Sequence, residues 1–94
     1  MRAYYSHMTE QEIIVLVNDI FVESFEIPRE QLRPDANLFQ DLGLDSLDAV
    51  DLIVALQQKF DVKIRADERI RSIRTLQSLY DLILTIKKEQ ENQG

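Results

Sequence analysis

A serine hydroxyl among acidic and apolar residues is the group in this sequence best suited to chemistry. Ser46 lies within Gly-Leu-Asp-Ser-Leu at 43–47, where a helix is predicted to begin, and this position exposes its hydroxyl. A phosphodiester on that hydroxyl would lie at the positive end of the helix dipole, which favours anions. The same residues also fit ordinary helix capping, because Ser and Asp begin many helices. The Asp-Ser-Leu triplet alone therefore leaves both interpretations open.

Catalysis by Ser46 is not indicated. A serine nucleophile needs a base within hydrogen-bond reach, and the only histidine, His7, lies in the arm before the first predicted helix. Asp45, Asp48 and Asp51 lie near a helix N-terminus, where capping and solvation explain them. The chain has no cysteine, and no metal-ligand spacing or glycine-rich phosphate loop is visible. We therefore predict a protein that is not an enzyme and has no metal site.

Length and charge limit the possible partners. The chain has 94 residues, enough for one small domain, and a net charge of −6. Such a surface repels phosphates, so nucleic acid and anionic membranes are poor candidates. No apolar run reaches the roughly 20 residues that span a bilayer, and residues 1–7 lack the apolar region of a signal peptide. We expect a cytoplasmic monomer.

The charge is distributed unevenly along the chain. Residues 35–61 contain one basic and six acidic side chains, a net charge of −5, whereas residues 62–75 contain five basic and two acidic side chains, a net charge of +3. Most such runs are solvated surface. The alternative is a partner surface whose encounters are steered by electrostatics.

Helices are favoured throughout, because only two Gly and two Pro interrupt the chain. Thr9 and Glu12 form a capping-box pattern that predicts a first helix from Thr9 to about Ser24. The last helix is predicted to begin at Thr75, and a short helix is predicted over residues 66–72. Together with the helix after Asp45, these elements predict an all-α protein, a small four-helix bundle with three main helices and a short third helix.

The second helix is predicted from an N-cap at Asp45 to about Phe60, and it has two apolar stripes. The first has the width of a core face and consists of Ala49, Leu52, Ile53, Leu56 and Phe60. The second lies on a different side and consists of Leu47, Val50 and Val54. The second stripe is either additional core or an exposed contact strip, and the acids that flank it favour the strip.

A long connection over residues 26–44 separates the first two helices. Its apolar residues indicate a loop that packs on the core; they are Ile27, Leu32, Leu38, Phe39, Leu42 and Leu44. Gly43 predicts a sharp turn just before the second helix.

The sequence around Ser46 resembles the phosphopantetheine attachment region of acyl carrier proteins. The resemblance rests on Asp-Leu-Gly-Leu-Asp-Ser-Leu-Asp at 41–48, Val-Asp-Leu at 50–52 and Phe-Asp at 60–61, and the order of elements over residues 9–86 agrees with it. It implies that a phosphopantetheinyl transferase attaches 4′-phosphopantetheine from coenzyme A to Ser46. The thiol of this arm would hold acyl groups as thioesters in fatty-acid or related biosynthesis.

The resemblance also implies roles for the neighbouring residues. The second helix of the family docks on basic patches of enzymes that synthesise or transfer acyl chains. The apolar part of that face would be Leu47, Val50 and Val54, and its charged part Asp45, Asp48 and Asp51. An acyl cavity between the helices would be lined by Leu56, Ile64 and Ile73.

We predict an N-terminal arm at 1–8, an acyl carrier domain at 9–87 and, because its residues are polar, a frayed tail at 88–94. Two features depart from the family pattern. Gln-Gln-Lys at 57–59 replaces a continued acidic run, and the segment 63–74 is basic where the family is usually acidic. We therefore expect specialised partners rather than those of the housekeeping fatty-acid carrier.

Two other functions stay open from the sequence. One is a discrete polyketide, peptidyl or aminoacyl carrier. The other is a helical interaction module whose Ser46 is unmodified or phosphorylated. A hydrolase that uses Ser46 would need a base beside it, and the sequence supplies none nearby.

Overall fold

Three α-helices make up most of the described chain, which in this computed structural model comprises residues 9–64 and 72–93. Helix α1 spans Glu10–Phe25, α2 spans Ser46–Phe60 and α3 spans Leu76–Gln93. No β-strand occurs within these described ranges, so the predicted all-α class is confirmed.

The fourth helix of the predicted bundle stays a prediction. It was expected over residues 66–72, of which only Ser72 is described. The structure thus describes three helices instead of four. A short 3-10 turn over Arg29–Gln31 adds a further helical element to the connection between α1 and α2.

Helix α1 begins with the predicted capping box. The Thr9 hydroxyl accepts a hydrogen bond from the Glu12 backbone N–H at 3.1 Å, and the Thr9 backbone N–H donates to the Glu12 carboxylate at 2.9 Å. These two bonds satisfy donors that the first helical turn leaves unpaired. The helix ends at Phe25, one residue later than predicted, where Glu26 adopts a left-handed conformation with φ of 56°.

The hydrophobic core lies between the three helices, and α1 packs against both α2 and α3. On α2, the predicted core face is confirmed for Leu52, Leu56 and Phe60, whereas its other members, Ala49 and Ile53, are half-buried. Each helix contributes buried apolar residues to the core. Those of α1 and α2 are Ile13, Val17, Ile20, Phe21, Leu52, Leu56 and Phe60. Those of α3 are Leu76, Leu79, Tyr80, Leu82, Ile83 and Ile86.

The long connection packs on this core, as predicted, and is hydrogen-bonded to the segment that opens α3. The Leu38 N–H donates to the Arg74 carbonyl at 2.8 Å, and the Leu76 N–H donates to the Ala36 carbonyl at 3.0 Å. Two of the loop residues predicted to pack on the core are less buried than expected: Leu42 is only half-buried, and Phe39 is 41% exposed. The connection is therefore a fixed wall of the molecule with one aromatic ring partly in solvent.

Helix α3 starts as predicted and extends further than predicted. The Thr75 and Ser78 hydroxyls each accept a hydrogen bond from the other residue's N–H, at 3.2 and 3.0 Å. The tail expected to fray from Lys88 is helical as far as Gln93. Within the described ranges, no helix has both the length and the apolar character that crossing a bilayer requires.

Side chains near the end of α3 form hydrogen bonds with backbone carbonyls at the end of α2. These contacts give a reason why α3 extends further than predicted. The Lys87 ammonium donates to the Phe60 carbonyl at 3.2 Å, and the Gln90 amide donates to the Asp61 carbonyl at 2.9 Å. Carbonyls at a helix C-terminus lack intrahelical partners, and a cation there interacts favourably with the helix dipole. The two helices therefore stabilise each other's ends.

A buried phenol links α1 to α3. Tyr80 is almost fully buried, and its hydroxyl donates to the Asn18 side-chain oxygen at 2.6 Å. Burial raises the pKa of the Tyr80 phenol. The phenol therefore stays protonated at neutral pH and keeps this interhelical hydrogen bond.

Candidate functional site

The N-terminus of α2 presents Ser46 on a reciprocally capped turn. The Asp45 carboxylate accepts from the Asp48 backbone N–H at 2.9 Å, and the Asp48 carboxylate accepts from the Asp45 backbone N–H at 3.2 Å. The N-cap at Asp45 confirms the sequence prediction. The reciprocal bond to Asp48 was not predicted, although acid three residues after an N-cap is its usual signal.

Ser46 is the first residue of this helix, and its side chain is exposed. Among the residues that the structure describes, no hydrogen-bond partner engages its hydroxyl. The turn in front of it is made by Gly43, whose φ of +78° confirms the predicted sharp turn. Nothing lies within 4 Å of a Cβ built on Gly43, so backbone conformation rather than space favours glycine here.

This geometry suits attachment of a group better than catalysis. Backbone N–H groups at the start of a helix and the helix dipole favour a phosphodiester, and an exposed hydroxyl leaves room for a long arm. His7 lies outside the described residues, and the described ranges contain no other histidine that could activate Ser46. Those ranges also contain no group of three His, Cys, Asp or Glu side chains placed to hold a metal ion. The exposed hydroxyl on the first residue of a capped helix fits a covalent phosphopantetheine.

The second apolar stripe of α2 is exposed. Leu47, Val50 and Val54 are 76%, 57% and 46% exposed, whereas Leu52 and Leu56 on the opposite side are buried. From the sequence pattern, this stripe could be either additional core or an exposed contact strip. The exposure of its three side chains shows that it is not part of the core. Asp51 is also exposed, and it lies four residues after Leu47 and three before Val54, on the same helix face.

A small apolar cavity lies beneath the loop and α2. Its volume is about 30 Å³, and it is lined by Leu38, Phe39, Leu44, Ala49, Leu52, Ile53, Leu56, Ile73 and Leu79. Two predicted cavity residues, Leu56 and Ile73, are among them. The third, Ile64, is buried in the same core but does not line this cavity. Its backbone N–H donates a hydrogen bond to the Gln57 side-chain oxygen at 2.8 Å.

The sequence did not indicate the remaining walls of the cavity. Leu38, Phe39 and Leu44 were predicted to pack on the core, which is the only signal that points to them. Ala49, Leu52 and Ile53 were predicted only to share the core face of the second helix with Leu56, and Leu79 lies on α3. Their meeting depends on how the loop folds over α2 and α3, which no local pattern encodes.

Comparison with known proteins agrees with this site. A family model described as a phosphopantetheine attachment site matches residues 16–83. An acyl carrier protein from Cyanidioschyzon merolae is 42% identical over 81 residues, which cover 86% of this chain and 88% of that protein. An acyl carrier protein from Chlorobium phaeovibrioides is 43% identical over 77 residues, covering 82% and 97%.

The fold agrees as well. The crystal structure of an acyl carrier protein from Thermotoga maritima superimposes with a TM-score of 0.74 at 29% sequence identity, covering 88% of this chain and 95% of that one. The chain thus belongs to the acyl carrier protein family: it is a carrier rather than an enzyme, and its cofactor is a covalently attached 4′-phosphopantetheine.

Proposed function

We propose that Ser46 is the attachment point and that the protein carries acyl groups as thioesters in fatty-acid or related biosynthesis. The observation that carries this proposal is the exposed hydroxyl of Ser46, free of partners among the described residues, on the first residue of a capped helix. During attachment, the serine oxygen forms a bond to the β-phosphorus of coenzyme A. The bond from that phosphorus to the adenosine bisphosphate breaks, and the serine proton is released.

The chemistry of carriage belongs to the arm, whose thiol forms the thioester. The protein contributes a site that tethers the arm and a surface that brings it to each enzyme. Tethering raises the effective concentration of the acyl group at a docked enzyme without any new contact to that group. We propose that this happens in the cytoplasm and that the protein acts as a monomer.

Acyl loading tests this function directly. The protein is first treated with coenzyme A and a promiscuous phosphopantetheinyl transferase, and then with an acyl carrier protein ligase, ATP and a radiolabelled fatty acid. We expect label on the protein that neutral hydroxylamine releases, because hydroxylamine cleaves thioesters. Absence of label, or label that resists hydroxylamine, would contradict the proposed carriage.

The exposed strip of α2 is proposed to dock on basic patches of partner enzymes. Leu47, Val50 and Val54 supply apolar contact, and Asp51 lies among them with its side chain in solvent. The carboxylates of Asp45 and Asp48 also face this end but are engaged in capping. Of the three acids, Asp51 is therefore the one whose charge is most available to a partner.

Charge reversal at Asp51 is expected to slow loading by the transferase. We expect Asp51→Lys to lower kcat/KM by on the order of tenfold at low salt, with a smaller loss at high salt, because charges at an interface mainly steer encounter. Glu23→Lys is the matched control, since Glu23 is an exposed acid on α1 and the net charge changes equally. Equal losses in both variants would show that net charge, not the α2 face, sets the rate.

The basic charge in the last turn of α2 and just after it supports partners outside the housekeeping fatty-acid pathway. Lys59 and Lys63 are exposed, and Gln58 occupies an exposed position on the α2 face where the family commonly has acid. An enzyme that reads a uniformly acidic carrier should bind this protein less tightly. Turnover by a standard ketoacyl synthase at rates typical of its own carrier would contradict specialised partners.

A further inference from the structure

The exposed side of α2 changes the sign of its charge along the helix. At the start, Asp48 lies in the first turn, and the exposed Asp51 follows in the second. At the end, the last turn contains Lys59, whose side chain is exposed. Asp48 and Lys59 are eleven residues apart in the sequence, a spacing that returns to nearly the same side of a helix. One flank of the exposed strip therefore begins with acid and ends with base.

A second cation, Lys63, lies beside the same end of the helix. The segment after α2 folds back on its last turn, because the Val62 N–H donates to the Gln57 carbonyl at 3.3 Å and the Ile64 N–H donates to the Gln57 side-chain oxygen at 2.8 Å. Val62 and Ile64 are buried, whereas Lys63 between them is exposed. Helix periodicity places Gln57 on the opposite flank of the strip from Lys59. Cations therefore lie on both sides of the strip where it ends.

The end of the helix does not need these two cations for its own stability. A base in the last turn interacts favourably with the helix dipole, but the Lys87 ammonium already donates to the Phe60 carbonyl there. Within the described part of the chain, the Lys59 and Lys63 side chains form no ion pair or hydrogen bond, not even with the exposed Asp61. Three lysines against Asp61 leave a net charge of +2 at this end. That charge is available to a partner.

The two ends of the strip face different parts of a partner. Asp51 and Lys59 are eight residues apart, which at 1.5 Å per residue is roughly 12 Å along the helix. Exposed charges separated by more than about 8 Å are largely screened from each other at physiological ionic strength. A patch that is basic along its whole length would attract the start of α2 but would meet Lys59 and Lys63 with like charge. Such a patch therefore fits only the first half of this helix.

We propose that the partner enzyme of this carrier binds the exposed strip in an apolar groove that is basic at the end next to Ser46 and acidic at the end next to Lys59 and Lys63. The proposal rests on the acyl carriage and the α2 docking proposed above. Opposite charges at the two ends also fix the direction in which α2 lies, because a reversed helix would place like charges together. The arm on Ser46 is thereby directed toward the basic end of the groove.

Charge reversal of the two lysines tests this surface with an available enzyme. The probe is a ketoacyl synthase whose carrier-docking patch is basic throughout, and its substrate is this protein loaded with an acyl group. We expect Lys59→Glu and Lys63→Glu each to raise kcat/KM by roughly three- to tenfold at low salt and by less at high salt. Arg33→Glu is the matched control, since Arg33 is exposed on the connection before α2 and the net charge changes equally. Unchanged kcat/KM in both lysine variants, or an equal gain in Arg33→Glu, would overturn the proposal.

Charge reversal in the synthase tests the acidic end of the groove. Each basic residue of its docking patch is replaced in turn by glutamate, and each variant is assayed with the parent carrier and with Lys59→Glu/Lys63→Glu. At least one synthase variant should turn over the parent carrier faster than the unmodified synthase does, and the double carrier variant should lose this gain. No gain with any synthase variant, or a gain that the double carrier variant retains, would contradict the acidic end. Absence of the phosphopantetheine mass gain on loading would instead contradict the attachment proposed at Ser46.

Discussion

Replacing Ser46 by alanine is expected to abolish acyl loading of this protein while leaving its fold unchanged. The hydroxyl oxygen is the atom that bonds to phosphorus, so its removal leaves no acceptor at this helix start. Ser46 is exposed, and Asp45 rather than Ser46 caps the helix. Alanine at the first helical position should therefore change the free energy of unfolding by no more than about 0.5 kcal/mol. Hydroxylamine-sensitive label and circular dichroism together measure both expectations.

Ser24→Ala is the matched control for this loss. Ser24 is also an exposed helical serine, but it lies in the last turn of α1, where the negative end of the dipole disfavours a phosphodiester. We expect loading equal to that of the parent. Residual loading of Ser46→Ala, or a loss in Ser24→Ala, would contradict the assignment of Ser46.

Replacing Leu56 by alanine is expected to lower the free energy of unfolding by about 2–5 kcal/mol. Leu56 is 1% exposed and lies at the centre of the buried face of α2, between Leu52 and Phe60. Truncation removes apolar burial and enlarges the space that already borders this side chain. Phe60→Ala should cost about 3–5 kcal/mol for the same reason. Urea unfolding followed by circular dichroism measures both changes.

The exposed side of the same helix supplies the control. Val54→Ala, at a position 46% exposed, should change stability by no more than about 0.5 kcal/mol. A cost below about half a kcal/mol for Leu56→Ala would mean that the two faces of α2 are wrongly assigned. Because Val54 belongs to the proposed docking strip, its small effect on stability would also let binding be measured without unfolding.

Local patterns predicted the helices and their starts because the forces that set them are local. Thr9 with Glu12 and the N-cap at Asp45 satisfy backbone donors within one turn, so neighbouring residues alone determine them. The two stripes of α2 were separable for a similar reason, since helix periodicity fixes which residues share a face. That the second stripe is exposed could be learned only from the structure, because helix periodicity does not tell which other elements pack on a face.

Features that depend on contacts distant in sequence were not predicted. Leu38 of the loop and Leu79 of α3 line the same cavity. They are far apart in the sequence, and no local sequence pattern predicts that they lie close together. The length of α3 was underestimated because Gln90 gains its partner only where the end of α2 lies beside it. Ile64 belongs to the same core as Leu56 and Ile73 but does not line this cavity, and its N–H donates to the Gln57 side chain, a contact that the sequence did not indicate.

The central claim is that Ser46 carries the 4′-phosphopantetheine, and peptide mapping of the loaded protein tests it most directly. After treatment with coenzyme A and a promiscuous phosphopantetheinyl transferase, the protein is digested and fragmented in a mass spectrometer. We expect a mass gain of one phosphopantetheine, located on the serine between Asp45 and Leu47. No mass gain, or a gain located on any other hydroxyl, would contradict this account.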